Sequence, residues 1–209
     1  MRITGEAFST LTTGIGGAAV ADLLEARGAV VARPTAAEWL LYLAWQRGGL
    51  CPSASNAERT IRGLHARYRR AAGLKHRELP DLDDWARLAS PHYPVAAPGG
   101  SVPAASGSAH LEVAAYLAAA RDRSADLVIS VKPFASTTSS AISDAVLHAL
   151  AQRGGPAFLS LEITGDADVQ IESRIDLALD AVVRRRGRVT LGARTQAARS
   201  LVHQSKISD

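Results

Sequence analysis

Two rhythms of apolar and polar residues run along this chain. Short apolar, β-branched runs read as strands, and stretches with apolar residues three and four apart read as helices. Residues 1–5 (MRITG) predict a first strand with a turn at Gly5. A loop holding Thr12, Thr13 and Gly14 leads to a helix over 15–27, stopped by Gly28. AVVARP at 29–34 predicts a second strand ended by Pro34. Thr35, with Glu38 three residues on, has the spacing of a capping box and opens a helix over 35–48. Residues 54–74 predict a polar, arginine-rich helix. Residues 80–89 predict another, with Pro80 at its start and Asp81, Asp83 and Asp84 near its positive end.

The stretch 91–108 (PHYPVAAPGGSVPAASGS) is too rich in Pro, Gly and Ser for a helix or strand interior and reads as a loop. Its length marks a lid, a binding loop or a mobile connection. A helix follows from His110 to Arg123, then an apolar strand over 126–134 closed by Pro133. A helix over 139–153, a strand over 157–163 (AFLSLEI) and a Thr164-Gly165-Asp166 turn come next, then an amphipathic helix over 169–186. RVTLG at 188–192 fits either a short edge strand or part of the tail.

Strands alternating with helices imply an α/β fold, because parallel neighbours need a helical crossover. The expectation is a Rossmann-like parallel sheet of about four strands flanked by helices, with a helical insertion at about 52–108. Residues 1–186 form one domain in this reading, and 187–209 a basic C-terminal tail. A chain of 209 residues is long enough to bury a real core.

Charge changes this picture only at the end of the chain. From Arg184 to Asp209 there are seven Lys/Arg and one acid, a local +6, so the formal +4 of the whole chain leaves about −2 for residues 1–183. Such a tail is usually solvated; nucleic acid is the lesser expectation for it. Cys51 is the single cysteine, too few for an internal disulfide or a thiolate-held metal site. The opening MRITGEAFST lacks the apolar core of a signal peptide. No uncharged apolar stretch approaches the roughly 20 residues of a membrane span. A cytoplasmic protein with no membrane association is the expectation.

In an open parallel sheet, ligands bind beyond the carboxyl ends of the strands, where loops and helix N-termini converge. That rule gathers Glu6 after the first strand; Lys132, Ser136, Thr137, Thr138, Ser139 and Ser140 after the third; and Glu162 and Asp166 after the fourth. Five consecutive hydroxyl residues before a helix suit an oxyanion or phosphate, and equally suit helix capping. Glu162 and Asp166 in one loop could divide acid and base roles. Glu6 could act as a base or cap the next segment. Lys132 could neutralise a ligand or pair with Glu162 on the next strand. His110, opening a helix after the long loop, could reach the crevice as acid or base, or face solvent. His65, His76, His92, His148 and His203 lack metal-ligand spacing, so no metal is expected. Gly14-Ile15-Gly16-Gly17 falls short of a dinucleotide fingerprint and reads as loop and helix-packing glycine. Ser136 lacks the Gly-x-Ser-x-Gly elbow of a hydrolase.

The opening segment through LYLAW, the LASPHY segment, DLVISVKPFASTTSSAISDAV and FLSLEITGDADVQIESRIDLALDAV together resemble the 2-hydroxyacyl-CoA dehydratase family, most nearly its dehydratase-activase-related proteins. The resemblance spans roughly 1–183 in collinear order. It implies Rossmann-like lobes in which cysteine thiolates hold an iron–sulfur cluster near an acyl-CoA substrate. Family members usually read Lys-Pro-Phe-Gly-Cys at the strand-end turn, with the cysteine a cluster ligand. Here the turn reads Lys132-Pro133-Phe134-Ala135-Ser136, and an alcohol is a poor iron ligand beside a thiolate. Cys51 lies away from the strand ends and reads as structural. No cofactor is therefore expected, and radical dehydration loses its one-electron carrier.

Two functions follow from the residues and the resemblance. One is a cluster-free relative of the dehydratase lobes that binds a small anionic or acyl-CoA-like ligand, with Glu6, Glu162 or His110 available for acid/base chemistry. The other is a non-catalytic subunit or interaction module in a homo- or hetero-oligomer. The sequence leaves open whether the chain is an enzyme.

Overall fold

The computed structural model describes residues 1–12, 14, 16–47, 54–73, 78–93, 109–136, 142–164 and 170–187. Cys51, the predicted loop beyond residue 93, Thr137 to Ser140, Asp166 and the tail from residue 188 lie outside the described residues. The chain divides into two units, Met1–Ala167 and Asp168–Asp209.

The first unit is α/β. Its elements run β1 (Arg2–Gly5), α1 (Ala7–Leu11), α2 (Gly17–Ala26), α3 (Ala36–Gln46), α4 (Ala54–Ala71), α5 (Leu82–Ala89), α6 (Ala109–Arg121), β2 (Leu127–Pro133), α7 (Asp144–Gln152) and β3 (Ala157–Ile163). The strands form one parallel sheet in the order β1-β2-β3. In the second unit a helix, α8, covers 170–187, close to the predicted 169–186.

Among the described residues three strands form, where about four were expected. The 29–34 segment does lie parallel beside β1, but it makes a single bridge, Arg2 with Ala32. Ile3 N–H donates to the Ala32 carbonyl at 2.7 Å, and Ala32 N–H to the Met1 carbonyl at 2.9 Å. The ladder stops there for two reasons. Pro34 has no N–H to give it, and Val30, 87% exposed, gains no burial from pairing.

α1 was not expected at all. Its buried residues are Ser9 and Thr10, while Phe8 and Leu11 face out, the reverse of the usual pattern. Hydroxyls explain how it persists. Thr10 Oγ1 donates back to the Glu6 carbonyl at 2.8 Å, which lets a polar side chain sit inside.

The Thr35 cap read from sequence holds, and α5 is capped by Asp81, one residue after the expected start at Pro80. The Thr35 hydroxyl accepts from the Glu38 amide at 3.3 Å, and Asp81 Oδ1 accepts from the amides of Asp83 and Asp84, each at 3.0 Å. The inserted helices are not a separate cap: α4 packs on α3, and α5 on α6. Leu41 and Tyr42 of α3 meet Leu79 and Leu82, with Ile61 of α4 against them. Burying each such side chain contributes about 1.5–3 kcal/mol. A second apolar cluster joins Ala89, Val113, Tyr116, Val128 and Leu147, fixing α5, α6 and α7 on one face of the sheet.

Register determines what that face carries. Thr4, Ser130 and Ser160 form one row across the three strands, and Lys132 and Glu162 form the next. Side chains alternate between faces along a strand, so all five project to the same side. The neighbouring positions Ile3, Ile129, Val131 and Leu161, on the other face, are buried and apolar.

Candidate functional site

The carboxyl ends of β1 and β2 are drawn together by a backbone contact that only glycine permits. Gly5 has φ +130°, and a Cβ there would lie 1.9 Å from the Val131 carbonyl oxygen. The next amide, that of Glu6, donates to the same carbonyl at 3.1 Å. Glu6 thus leaves β1 beside the turn that ends β2. Pro133 closes that strand, Ala135 turns in the left-handed region at φ 60°, and Ser136 follows. The Ser136 hydroxyl donates to Glu6 Oε1, joining residues 130 positions apart. A carboxylate in this contact orients the hydroxyl and stands within reach of its proton.

Around this polar pair the surface is apolar. Phe8 (76% exposed) and Leu11 follow β1, Phe134 (68% exposed) follows β2, and exposed Ile142 precedes α7.

Beneath it, on the polar face of the sheet, lies a set of interactions that sequence reasoning missed in part. Lys132 is fully buried, and its ammonium pairs with Asp144 Oδ1 in the first turn of α7. Asp144 Oδ2 also accepts from the Ser160 hydroxyl of β3 at 2.7 Å. The Lys132 charge is therefore neutralised inside the fold, and one carboxylate ties β2, β3 and α7 together. One row away, the Ser130 hydroxyl donates to Glu112 Oε2 of α6 at 2.7 Å, both residues buried. Burial, and secondly the Glu112 carboxylate, hold the Tyr93 phenol above its ordinary value of 10.0.

Of the residues predicted for the site, Glu6 and Ser136 touch. Lys132 lies in register with Glu162, and its ion pair runs to Asp144. His110 is 2% exposed and does not face solvent; its ring lies 5.4 Å from that of Tyr42 and 6.4 Å from that of Trp45. Thr137, Thr138, Ser139, Ser140 and Asp166 lie outside the described residues. Ser130 and Ser160 carried a signal that period-two counting could have found. Ser130 shares a face with Lys132, and Ser160 with Glu162, so each strand puts two polar residues on one side. Gly16 and Gly17 serve packing: a Cβ at Gly16 would lie 2.2 Å from the Ser9 carbonyl oxygen, where α1 passes the start of α2. Among the described residues, no helix is long and apolar enough to cross a membrane. No family model, curated protein or solved structure matches this chain.

Proposed function

We propose that the strand carboxyl ends of this chain bind a small carboxylate or acyl-CoA-like ligand without an iron–sulfur cluster, as a relative of the 2-hydroxyacyl-CoA dehydratase lobes. The observation that carries this reading is the Glu6–Ser136 contact with exposed Phe8 and Phe134 beside it. A hydrogen-bonding pair bordered by apolar side chains suits an acyl group, which offers a polar carbonyl and an apolar chain. Glu6 is the acid/base candidate of this reading. Lys132, spent on Asp144, becomes a residue that positions the turn; His110 becomes one that packs; Glu162, the hydroxyls of Thr137, Thr138, Ser139 and Ser140, and Asp166 stay candidates of this reading by their sequence positions after the strands.

Calorimetric titration of the protein with acetyl-CoA, butyryl-CoA and free butyrate tests this. The parent chain should bind at least one. Ser136→Ala should weaken that binding about 2- to 10-fold, the span of one lost hydrogen bond, and Glu6→Gln should change it as well. Absence of heat with all three probes, or equal affinity of parent and both variants, would refute the site.

A second reading is favoured by the exposed apolar side chains Phe8, Leu11 and Phe134 that follow the strands: a subunit whose strand ends are covered by a partner lobe or a second copy. Light scattering after gel filtration separates the two. Phe8→Ser with Phe134→Ser dissociates an assembly if the second reading holds, whereas Glu6→Gln leaves its mass unchanged.

A further inference from the structure

The arginines of α4 take no part in the strand-end site, and their placement points to a separate surface. The helix carries five arginines and one acid, a local +4. Since residues 1–183 sum to about −2, the rest of that span carries about −6, so positive charge is concentrated on this helix. One side of α4 is anchored. Ile61 packs against the α3–α5 cluster. Arg62 donates to the carbonyls of Leu79 at 3.1 Å and Pro80 at 3.0 Å while pairing with Glu58 at 3.0 Å.

The other side faces out. Arg59, Arg67 and Arg70 are exposed, and among the described residues no acidic side chain pairs with any of them. Arg59 and Arg67 stand about 12 Å apart along the axis at 1.5 Å per residue. Between them Gly63 leaves the surface without a side chain, and a groove of about 480 Å³ opens over Asn56, Thr60, Gly63 and Leu64. Tyr68, 67% exposed, lies one turn beyond Leu64, at the border of this groove.

We propose that this face of α4 binds single-stranded nucleic acid, with Arg59, Arg67 and Arg70 on successive phosphates and the Tyr68 ring stacked on a base. Guanidinium groups recognise phosphate oxygens through paired donors, and an exposed ring beside a cationic groove is the arrangement that holds unpaired bases irrespective of sequence. A helix with this charge, three of whose exposed arginines pair with no acidic side chain among the described residues, attracts a polyanion, and the tyrosine selects one that has bases. These arginines are separate in sequence from the basic residues of 184–209.

Fluorescence anisotropy of the full chain with a labelled 12-nucleotide oligothymidylate tests the proposal. Three phosphate contacts on a single strand give a salt slope of about −2, so binding through α4 should fall roughly 20-fold between 50 and 200 mM salt. Arg59→Gln, Arg67→Gln and Arg70→Gln together should remove that part of the slope, and Tyr68→Ala should weaken binding about 10-fold. Gly63→Glu places a carboxylate on the groove floor, where a new Cβ meets no atom within 4 Å, so the helix stays folded by circular dichroism while binding is lost. A parallel chain with Gln at Arg188, Arg194 and Arg199 should keep the α4-dependent binding. The proposal is overturned if the tail variant alone abolishes binding, if Gly63→Glu binds like the parent, or if phosphatidylserine vesicles are bound and the oligonucleotide is not.

Discussion

Replacing Lys132 tests how the interior of this fold holds its charges. Lys132 is fully buried and Asp144 nearly so, with side-chain exposures of 0% and 15%. Lys132→Met keeps the apolar stem and removes the ammonium, leaving the Asp144 carboxylate, among the described residues, with the Ser160 hydroxyl as its hydrogen-bond donor. Breaking a buried pair from one side costs about 3–5 kcal/mol. Water reaches part of Asp144, so the lower end applies, about 3 kcal/mol. Against a total stability of about 5–15 kcal/mol that is a large loss. Removing both charges is a different perturbation. In Lys132→Met with Asp144→Leu no uncompensated ion remains, and the main loss is the Ser160 hydrogen bond, about 1 kcal/mol. The double variant should therefore be more stable than the single, with a coupling of about 2 kcal/mol or more. Urea denaturation followed by far-ultraviolet circular dichroism reads this directly, provided the slope m is common to all the chains. Additive losses, or a Lys132→Met chain within about 0.5 kcal/mol of the parent, would show that this pair does not bind β2 to α7 as argued.

Three further outcomes follow from local geometry. Gly5→Ala should abolish soluble folded protein or cost more than about 3 kcal/mol, since its Cβ would meet the Val131 carbonyl oxygen at 1.9 Å; a normal melting curve would count against the strand-end contact. Ala135→Gly should raise stability by about 0.5–1 kcal/mol, because relief of the left-handed strain at φ 60° exceeds the added entropy of the unfolded chain, and chemical denaturation checks the sign. Burial lifts the Tyr42 phenol to about 12 against an opposing hydrogen bond with Gln46. Its folded value lies above the unfolded one, so this contribution is intact below pH 10 and fades between pH 10 and about 12, by about 1–3 kcal/mol. Tyr42→Phe should flatten that stretch of a plot of melting temperature against pH, and an unchanged plot would remove Tyr42 as its cause.

Elements with one dominant cause were legible in the sequence. β3 falls on the expected 157–163, and β2, an apolar run closed by proline, lies within one residue of its expected limits at each end. α3 begins at the cap read for it, Thr35, and α5 begins within two residues of the expected start at Pro80. What failed were elements decided by their neighbours. The 29–34 segment has strand residues, yet whether it extends a ladder depends on an exposed edge and on Pro34. α1 was hidden because its inward residues are Ser9 and Thr10, held by backbone carbonyls that no periodicity reveals. The site divides in the same way. The strand-end rule located Glu6 and Ser136, which meet. It could not show that Lys132 is consumed by Asp144, because that partner lies twelve residues on, beyond a turn whose path local pattern does not determine.

The pairing of β1 with β2 sets a timetable for making this protein. Arg2 sits opposite Val128, so the first strand stays without its sheet partner until 126 further residues have been joined. At about 5–20 residues per second that wait lasts about 6–25 s on the ribosome. Throughout it the first strand has neither its ladder to β2 nor the covering helix α6, and the backbone edge that β2 will occupy is open to other nascent chains. Slow codons before residue 128 would lengthen that window and favour aggregation, whereas slow codons after 163, once all three strands are made, would not.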